Sequence, residues 1–390
     1  MAGCKGIRAR TLSLLSLAIC SLAQDVGQHP RTAVPTAMEE VSLNELSSVE
    51  VPTLPADSIG TPLLCDPDGS ILFRLATPET GIEDPVSVSK DGKTVIRFGR
   101  EKINDIARPA LLSVSLLGRD VYILTRGSTP LGYETKWRTP TGEVVSQHAS
   151  KGGTFVVHFE GNGNYAGAVS LDLPFKPQRL GVFENGDFLV SGADPSTDEP
   201  RLGIVASNGQ LRRLVELEGD VHAQQESDAS GKGKDPTALP RFQPAPDRPP
   251  QSFVTETLRG VVSASQIAKD GPNLLLFRPM NGPVFSISPS GEVRVHKLKV
   301  EGDYRLYTIK AARNLWIVEF LHDVPHSAAQ EFSTYAFDPE TGAPLREYFF
   351  PRNLGWGLAC TDGDEFTFVM ANEKTNTLKL VNLAPAAKPN

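Results

Sequence analysis

The chain has 390 residues, of which 22% are charged and 39% are hydrophobic, a composition that allows a large buried core and excludes a wholly disordered chain. Its formal net charge of −7 at pH 7 repels nucleic acid and anionic lipid, so we expect neither as a partner. After the N-terminal segment, no apolar run reaches the roughly 18 residues of a membrane span. We therefore expect no membrane-spanning segment, and we expect the protein to be a monomer.

The first 23 residues have the pattern of a signal peptide. Three basic residues precede an apolar run from Leu12 to Leu22; they are Lys5, Arg8 and Arg10. Small residues near Ala23 predict cleavage after that position, so residues 1–23 indicate a secreted or periplasmic protein. Cys20 offers a lipoprotein alternative, which the bulky Ile19 before it disfavours.

Residues 24–57 are polar and rich in proline, so we expect most of this segment to be disordered. The regular part of the chain then begins at Gly60. Between Gly60 and Gly99, apolar runs of strand length are separated by Asp68-Gly69 and Asp91-Gly92, which is the signature of two β-hairpins. The stretch predicts a meander of four antiparallel strands.

Variants of this meander recur five more times along the chain. Their hairpin turns are marked by Asn162-Gly163, Asn185-Gly186, Asn208-Gly209, Asp270-Gly271, Ser290-Gly291 and the stretch from Pro339 to Gly342. Two insertions interrupt the series: Ser128–Gly153 predicts an extra hairpin in the second unit, and the proline-rich residues 219–252 predict a disordered insertion.

The sixth unit ends one strand short of a full meander. A ring with an unpaired last edge would invite aggregation, so we expect part of Glu40–Leu54 to return and supply the missing outer strand. The prediction is an all-β, six-bladed β-propeller over residues 58–384, closed by an N-terminal strand and followed by a tail at residues 385–390.

The turns of units one, three and four resemble NHL-type repeats of the six-bladed propeller superfamily. The matching turns read DPDG at Asp66–Gly69, ENGD at Glu184–Asp187 and KDG at Lys269–Gly271. The resemblance covers about Gly60–Leu383 and implies a six-bladed ring. Its turns are structural, and they do not identify an activity.

Two cysteines remain after the predicted leader. Cys65 and Cys360 occupy matching places in the first and last units, which a closed ring would bring together. We expect either a disulfide that clasps the ring or two buried free thiols.

Two faces of the predicted ring differ. The turns that join first to second and third to fourth strands form the tight-turn face, while all other connections form the long-loop face, where binding groups are expected. Arg74, Arg126 and Arg278 end second strands at the long-loop face, and Glu319 takes that place in unit five. Converging arginines would bind a carboxylate or phosphate; solvated strand ends are the alternative.

Three further side chains are candidate ligand-binding groups. Trp356 could stack on a sugar or aromatic ligand, or pack between blades. His322 and His326 lie four apart, as in a metal pair, although Pro325 argues against a helix there and no third ligand is evident.

These features favour an exported module that binds an unknown protein or a small anionic or sugar ligand, without a cofactor. No catalytic motif accompanies the repeats. The alternative is a lactonase-like or lyase-like enzyme that uses calcium or zinc. Its metal could draw on Glu319, Asn281, Asn372 and Asp194.

Overall fold

The computed structural model describes residues 38–55, 59–77, 81–82, 84–217, 266–277, 283–299, 305–323, 330–350, 357–372, 375 and 377–386. The predicted signal peptide and the predicted insertion at residues 219–252 lie outside the described residues. Within the described part, all regular structure is β-strand except one 3-10 turn at Arg100–Lys102. No helix there is long and apolar enough to cross a membrane.

The strands follow one another as four-stranded meanders. In chain order they are β1 (Glu39–Pro55), β2 (Ile59–Cys65), β3 (Ile71–Thr77), β4 (Gly81–Ile82), β5 (Val86–Val88), β6 (Val95–Arg97), β7 (Ala107–Leu117), β8 (Asp120–Arg138), β9 (Val144–Phe159), β10 (Tyr165–Leu171), β11 (Lys176–Val182), β12 (Phe188–Ala193), β13 (Pro200–Val205), β14 (Leu211–Leu214), β15 (Gln266–Asp270), β16 (Asn273–Phe277), β17 (Val284–Ile287), β18 (Val293–His296), β19 (Arg305–Ala312), β20 (Leu315–Asp323), β21 (Gln330–Phe337), β22 (Pro344–Phe349), β23 (Leu358–Asp362), β24 (Glu365–Asn372) and β25 (Thr377–Pro385).

Four sheets are separate meanders. Their strand orders are β2-β3-β5-β6 with β4 beside β3, β10-β9-β8-β7, β11-β12-β13-β14 and β15-β16-β17-β18. The remaining strands form one eight-stranded sheet in the order β19-β20-β21-β22-β1-β25-β24-β23. This sheet is two meanders joined through β1.

The glycine turns explain why the strands reverse where they do. Gly69 and Gly186 have φ values of +80° and +82°, a region that residues with a Cβ rarely occupy. Side chains support both turns: Asp66 Oδ1 accepts from the Asp68 amide at 2.9 Å, and Asn185 Oδ1 accepts from the Asp187 amide at 3.1 Å. Sequence and turn geometry therefore agree at these positions.

The N-terminal strand β1 closes the ring. From Leu43 to Pro55 it pairs antiparallel with β25, and its first four residues pair parallel with β22. Val51 is fully buried in an apolar cluster that includes Val86 and Leu378. The prediction of a ring closed by an N-terminal strand is confirmed.

The first strands of the meanders surround a channel. They contact one another in the order β2, β7, β11, β15, β19 and β23, and β23 contacts β2 again. Meanders arranged radially around a central channel form a β-propeller, so the predicted all-β propeller class is confirmed.

The second meander carries an arm. β8 has 19 residues and β9 has 16, and, apart from a register shift between Pro130 and Glu134, they pair out to Arg138 and Val144. The sequence predicted a separate hairpin over Ser128–Gly153; the structure instead extends the second and third strands of the meander. A turn closes the arm, with the Thr139 amide donating to the Glu143 carbonyl at 2.8 Å.

Candidate functional site: the central channel

The channel contains a cavity of about 470 Å³, which is within the size range of small-molecule sites. Every first strand, or the turn that follows it, contributes to its wall. Representative lining residues are Cys65, Ser115, Val182, Asp270, Lys310 and Thr361. Most of them lie toward the tight-turn end of the strands. The cavity therefore opens mainly among the tight turns, although Gln266 and Phe277, at the long-loop end of their strands, also line it.

Lys310 is the most unusual residue in this wall. It lies on β19 between Ile309, which is buried, and Ala311, and it is itself half-buried. Burial lowers the pKa of the Lys310 ammonium to about 8, while the negative charge of Glu319 acts in the opposite direction. A lysine with this environment changes its charge just above neutral pH.

Glu319 lies behind the wall on β20, in register with Thr308 on β19 and Thr334 on β21. Its side chain is only 1% exposed, and both carboxylate oxygens accept from the Leu358 amide, at 3.3 and 3.2 Å. Burial raises the pKa of Glu319 to about 8, and this effect exceeds the lowering by the Leu358 amide and Lys310. Glu319 thus connects two neighbouring meanders instead of facing the long-loop rim.

Gly357 allows the approach between these meanders. A Cβ on Gly357 would lie 3.0 Å from Tyr307 Cε1 and 3.3 Å from Glu319 Oε2. Burial, with the nearby charge of Glu319, raises the pKa of the Tyr307 hydroxyl. Lys310, Glu319 and Tyr307 therefore form one electrostatically coupled group beside the channel.

Charges at the tight-turn end of the cavity are mixed. Lys269 and Glu184 form an ion pair with a 3.4 Å separation, and both line the cavity. Burial raises the pKa of Asp270, which also lines it. The rim can therefore offer both donors and acceptors to a polar ligand.

Cys65 and Cys360 form a disulfide with a Cα–Cα distance of 5.2 Å. It connects β2 of the first meander with β23 of the last, across 295 positions of sequence. Cys65 also lines the cavity, so this bond joins the first and last meanders beside the channel.

The predicted arginine set can be located only in part. Arg126 is exposed on β8, in register with Ala110 and Thr154. Arg74 lies on β3, but its side chain is outside the described part of the structure, as are Arg278 and Trp356. Convergence of these groups at the long-loop face stays a prediction.

The candidate metal ligands that the structure describes lie on different strands and loops. His322 lies on β20 with its side chain outside the described residues, which also exclude His326 and Asn281. Asn372 ends β24. Asp194 accepts hydrogen bonds from Ser196 and Thr197, which lower the pKa of its carboxyl. Among the described residues, no three His, Cys, Asp or Glu side chains form a group that could hold a metal.

Sequence reasoning missed Lys310. The available signal was a lysine within the apolar stretch YTIKAA, on the strand that pairs with WIVEF and its glutamate. Two paired strands of a hairpin seldom each carry a buried charged side chain unless the two charges interact.

Comparisons with known proteins show no family for this chain. No family model matches the chain, and no curated protein matches it. Among solved structures, virginiamycin B lyase from Staphylococcus aureus has 10% identity and a TM-score of 0.40, covering 88% of this chain and 99% of its own. The β-propeller domain of the Trilobed protease from Pyrococcus furiosus has 9% identity and a TM-score of 0.38, with coverage of 86% and 85%. At these identities and TM-scores the likeness carries no argument about the fold or the function of this chain.

Proposed function

We propose that the protein is an exported binding module that holds a small anionic ligand in the central channel, against Lys310. The observation that carries the proposal is the position of Lys310 in the wall of the cavity of about 470 Å³. Cavities of this size enclose metabolite-sized molecules, and a few polar groups within them determine which ligand binds.

The charges near Lys310 favour an anion. Burial shifts Lys310 and Glu319 toward their neutral forms, so each charge is costly in this environment. A ligand carboxylate or phosphate beside Lys310 would stabilise its ammonium form and raise its pKa. A neutral sugar would offer no such gain.

Thermal shift measurements with citrate, inorganic phosphate and glucose test this proposal. A ligand that binds only the folded protein raises its melting temperature in a concentration-dependent manner. We expect at least one anion to stabilise the protein near neutral pH and the Lys310→Met variant to lose that response. Lys93→Met is the matched control, because Lys93 is a surface lysine with an 84% exposed side chain.

Two outcomes contradict the channel site. The first is that citrate and phosphate stabilise the native protein and Lys310→Met equally, which would place the anions elsewhere. The second is that glucose alone stabilises it. Raising the pH above about 8 provides a further check, because a deprotonated Lys310 should bind anions less well.

The ring architecture is proposed to be six-bladed and related to NHL-like repeats. Support comes from the cyclic contacts of β2, β7, β11, β15, β19 and β23 and from the six meanders that begin with them. In this interpretation β1 completes the sixth blade with β23 to β25 and also extends the fifth. A low-resolution electron density map of the ring would count its blades directly.

Export to a secreted or periplasmic location is part of the same proposal. The leader pattern of residues 1–23 supports it, as does the Cys65–Cys360 disulfide, because such bonds persist mainly in oxidising compartments. N-terminal sequencing of the mature protein should begin at Gln24. Retention of the full leader would contradict export by this route.

A further inference from the structure

The channel cavity is lined by charges of both signs. Among the described residues in its wall, the acidic side chains are those of Asp66, Glu184 and Asp270, and the basic ones are those of Lys269, Lys310 and Arg313. A ligand that is only negative would be attracted by the basic groups and repelled by the acidic ones, because like charges that face each other across an interface are unfavourable. The lining therefore suits a ligand that carries both signs of charge.

Two of these side chains differ from the others. One acidic and one basic group already form the ion pair of 3.4 Å at the rim. Asp66 accepts from two amides of its own turn, and Arg313 is exposed in the turn after β19, where water solvates its charge. Asp270 and Lys310, by contrast, are both half-buried in the cavity wall. These two charges gain most from a ligand of complementary charge.

Asp270 lies on one side of β19. It is close to Trp316 of β20, which packs in an apolar cluster with Leu275 and Phe277 of the preceding meander. Burial raises the pKa of the Asp270 carboxyl, while the Trp316 indole and the charge of His296 act in the opposite direction. Asp270 therefore belongs to the seam between the β15–β18 meander and the β19–β22 meander.

Lys310 lies on the other side of β19. It is in register with Ile317 of β20, and residues directly opposite each other in an antiparallel pair share one face of the sheet. Ile317 packs in an apolar cluster with Leu358 of the last meander. Glu319, whose charge acts on Lys310, accepts from the Leu358 amide in the same seam. Lys310 therefore faces the seam between the β19–β22 meander and the last one.

The two charges thus reach one cavity from opposite sides of a strand. Sheets that pack face to face are about 10 Å apart, which sets the scale of their separation across β19. Asp270 adjoins its hairpin turn, whereas Lys310 lies two residues before the end of β19, a further difference of about 7 Å along the strand. A ligand that contacts both groups must therefore be extended, and an α-amino acid, whose two charged groups share one carbon atom, is too short.

We propose that the channel ligand is an extended zwitterion, such as a short peptide or an ω-amino acid, with its carboxylate at Lys310 and its ammonium group at Asp270. This inference rests on the proposed function and narrows the ligand from any small anion to one that also carries a positive charge. Charge-assisted hydrogen bonds at both ends would stabilise the ionised forms of both side chains. A ligand with one charged end would stabilise only one of them.

Calorimetric titration of the full mature chain with ε-aminocaproate, caproate and hexylamine tests the inference. The three compounds have the same carbon chain length and differ in which ends are charged. We expect ε-aminocaproate to bind roughly tenfold more tightly than caproate or hexylamine, because it alone makes both contacts. Glycine should bind more weakly than ε-aminocaproate, because its charged groups cannot reach both side chains.

Substitution of Asp270 separates this inference from the proposed function. Asp270→Asn keeps the shape of the side chain and removes its charge, so ε-aminocaproate should then bind no better than caproate. The stabilisation by citrate or phosphate, which depends on Lys310, should remain. Asp91→Asn is the matched control, because Asp91 has a 57% exposed side chain and is not among the residues that line the cavity. It should leave all the affinities unchanged.

Equal affinities of the native protein for ε-aminocaproate and caproate would overturn the zwitterion and leave the anion site in place. An advantage of ε-aminocaproate that survives Asp270→Asn would overturn the position of the ammonium group. Glycine that binds as tightly as ε-aminocaproate would overturn the extended geometry. If caproate, citrate and phosphate all fail to bind, the proposed function fails together with this inference.

Discussion

The backbone amide of Leu358, at the start of β23, donates to both carboxylate oxygens of Glu319, on the neighbouring meander. This contact makes one buried carboxyl group part of the seam between the last two meanders. Because burial raises the pKa of Glu319 from 4.5 to about 8, the folded protein binds more protons than the unfolded chain between those values. The stabilising contribution of the neutral carboxyl is therefore complete below about pH 4.5 and is lost as the pH rises through 8.

Replacing Glu319 by Gln should remove this pH dependence. Gln keeps an oxygen that can accept from Leu358 and cannot ionise, so the melting temperature of Glu319→Gln relative to the native protein should rise between pH 5 and pH 8. Thermal unfolding at both pH values measures the difference. Glu292→Gln, at a side chain that is 65% exposed, is the control and should show no such trend. A difference that is the same at both pH values would contradict the assignment.

The disulfide between Cys65 and Cys360 should contribute strongly to stability. The loop that it closes spans 295 positions, and in the chain-entropy description such a constraint on the unfolded state contributes up to about 5 kcal/mol. Reductant should therefore lower the melting temperature by several degrees. The double variant C65S/C360S should start at the lower value and not respond to reductant. Equal melting temperatures for the oxidised and reduced native protein would show that the clasp adds nothing.

Strand β1 should be essential for the closed ring. Val51 is completely buried, whereas Leu46 on the same strand is 58% exposed. Val51→Ala should lower the free energy of unfolding by about 1 to 3 kcal/mol through lost packing, and Leu46→Ala should change it by less than about 0.5 kcal/mol. Chemical denaturation of the two variants measures both values. Deleting residues 24–55 should have a larger effect still, because it leaves β25 with an open edge. Equal stabilities for the deletion and the native chain would mean that β1 does not close the ring.

The fold was predictable because its signals are local and repeated. A turn such as Asp68-Gly69 needs a positive φ at its second residue, and glycine provides it wherever it occurs. Closure by β1 followed from counting strands, since a meander that lacks its last strand requires one from elsewhere. Neither inference needed knowledge of how blades pack against each other.

The coupled group beside the channel depends on packing that sequence patterns do not encode. Lys310 pairs in register with Ile317, and Glu319 pairs with Thr308, so hairpin pairing alone could have placed the two charges near each other. The contact of Glu319 with Leu358, however, depends on the rotation of one meander against the next. The arm shows a similar limit, because its sequence did not distinguish two strands that continue through Ser128 from an independent hairpin.

The double role of β1, beside β22 and β25, also affects how the protein is made. Its partners are encoded more than 300 positions later, so β1 is synthesised well before the strands that it pairs with. At synthesis rates of roughly 5 to 20 residues per second, it waits for tens of seconds without its neighbours. Until β22 and β25 have been synthesised, β1 has neither of these partners and the ring stays open.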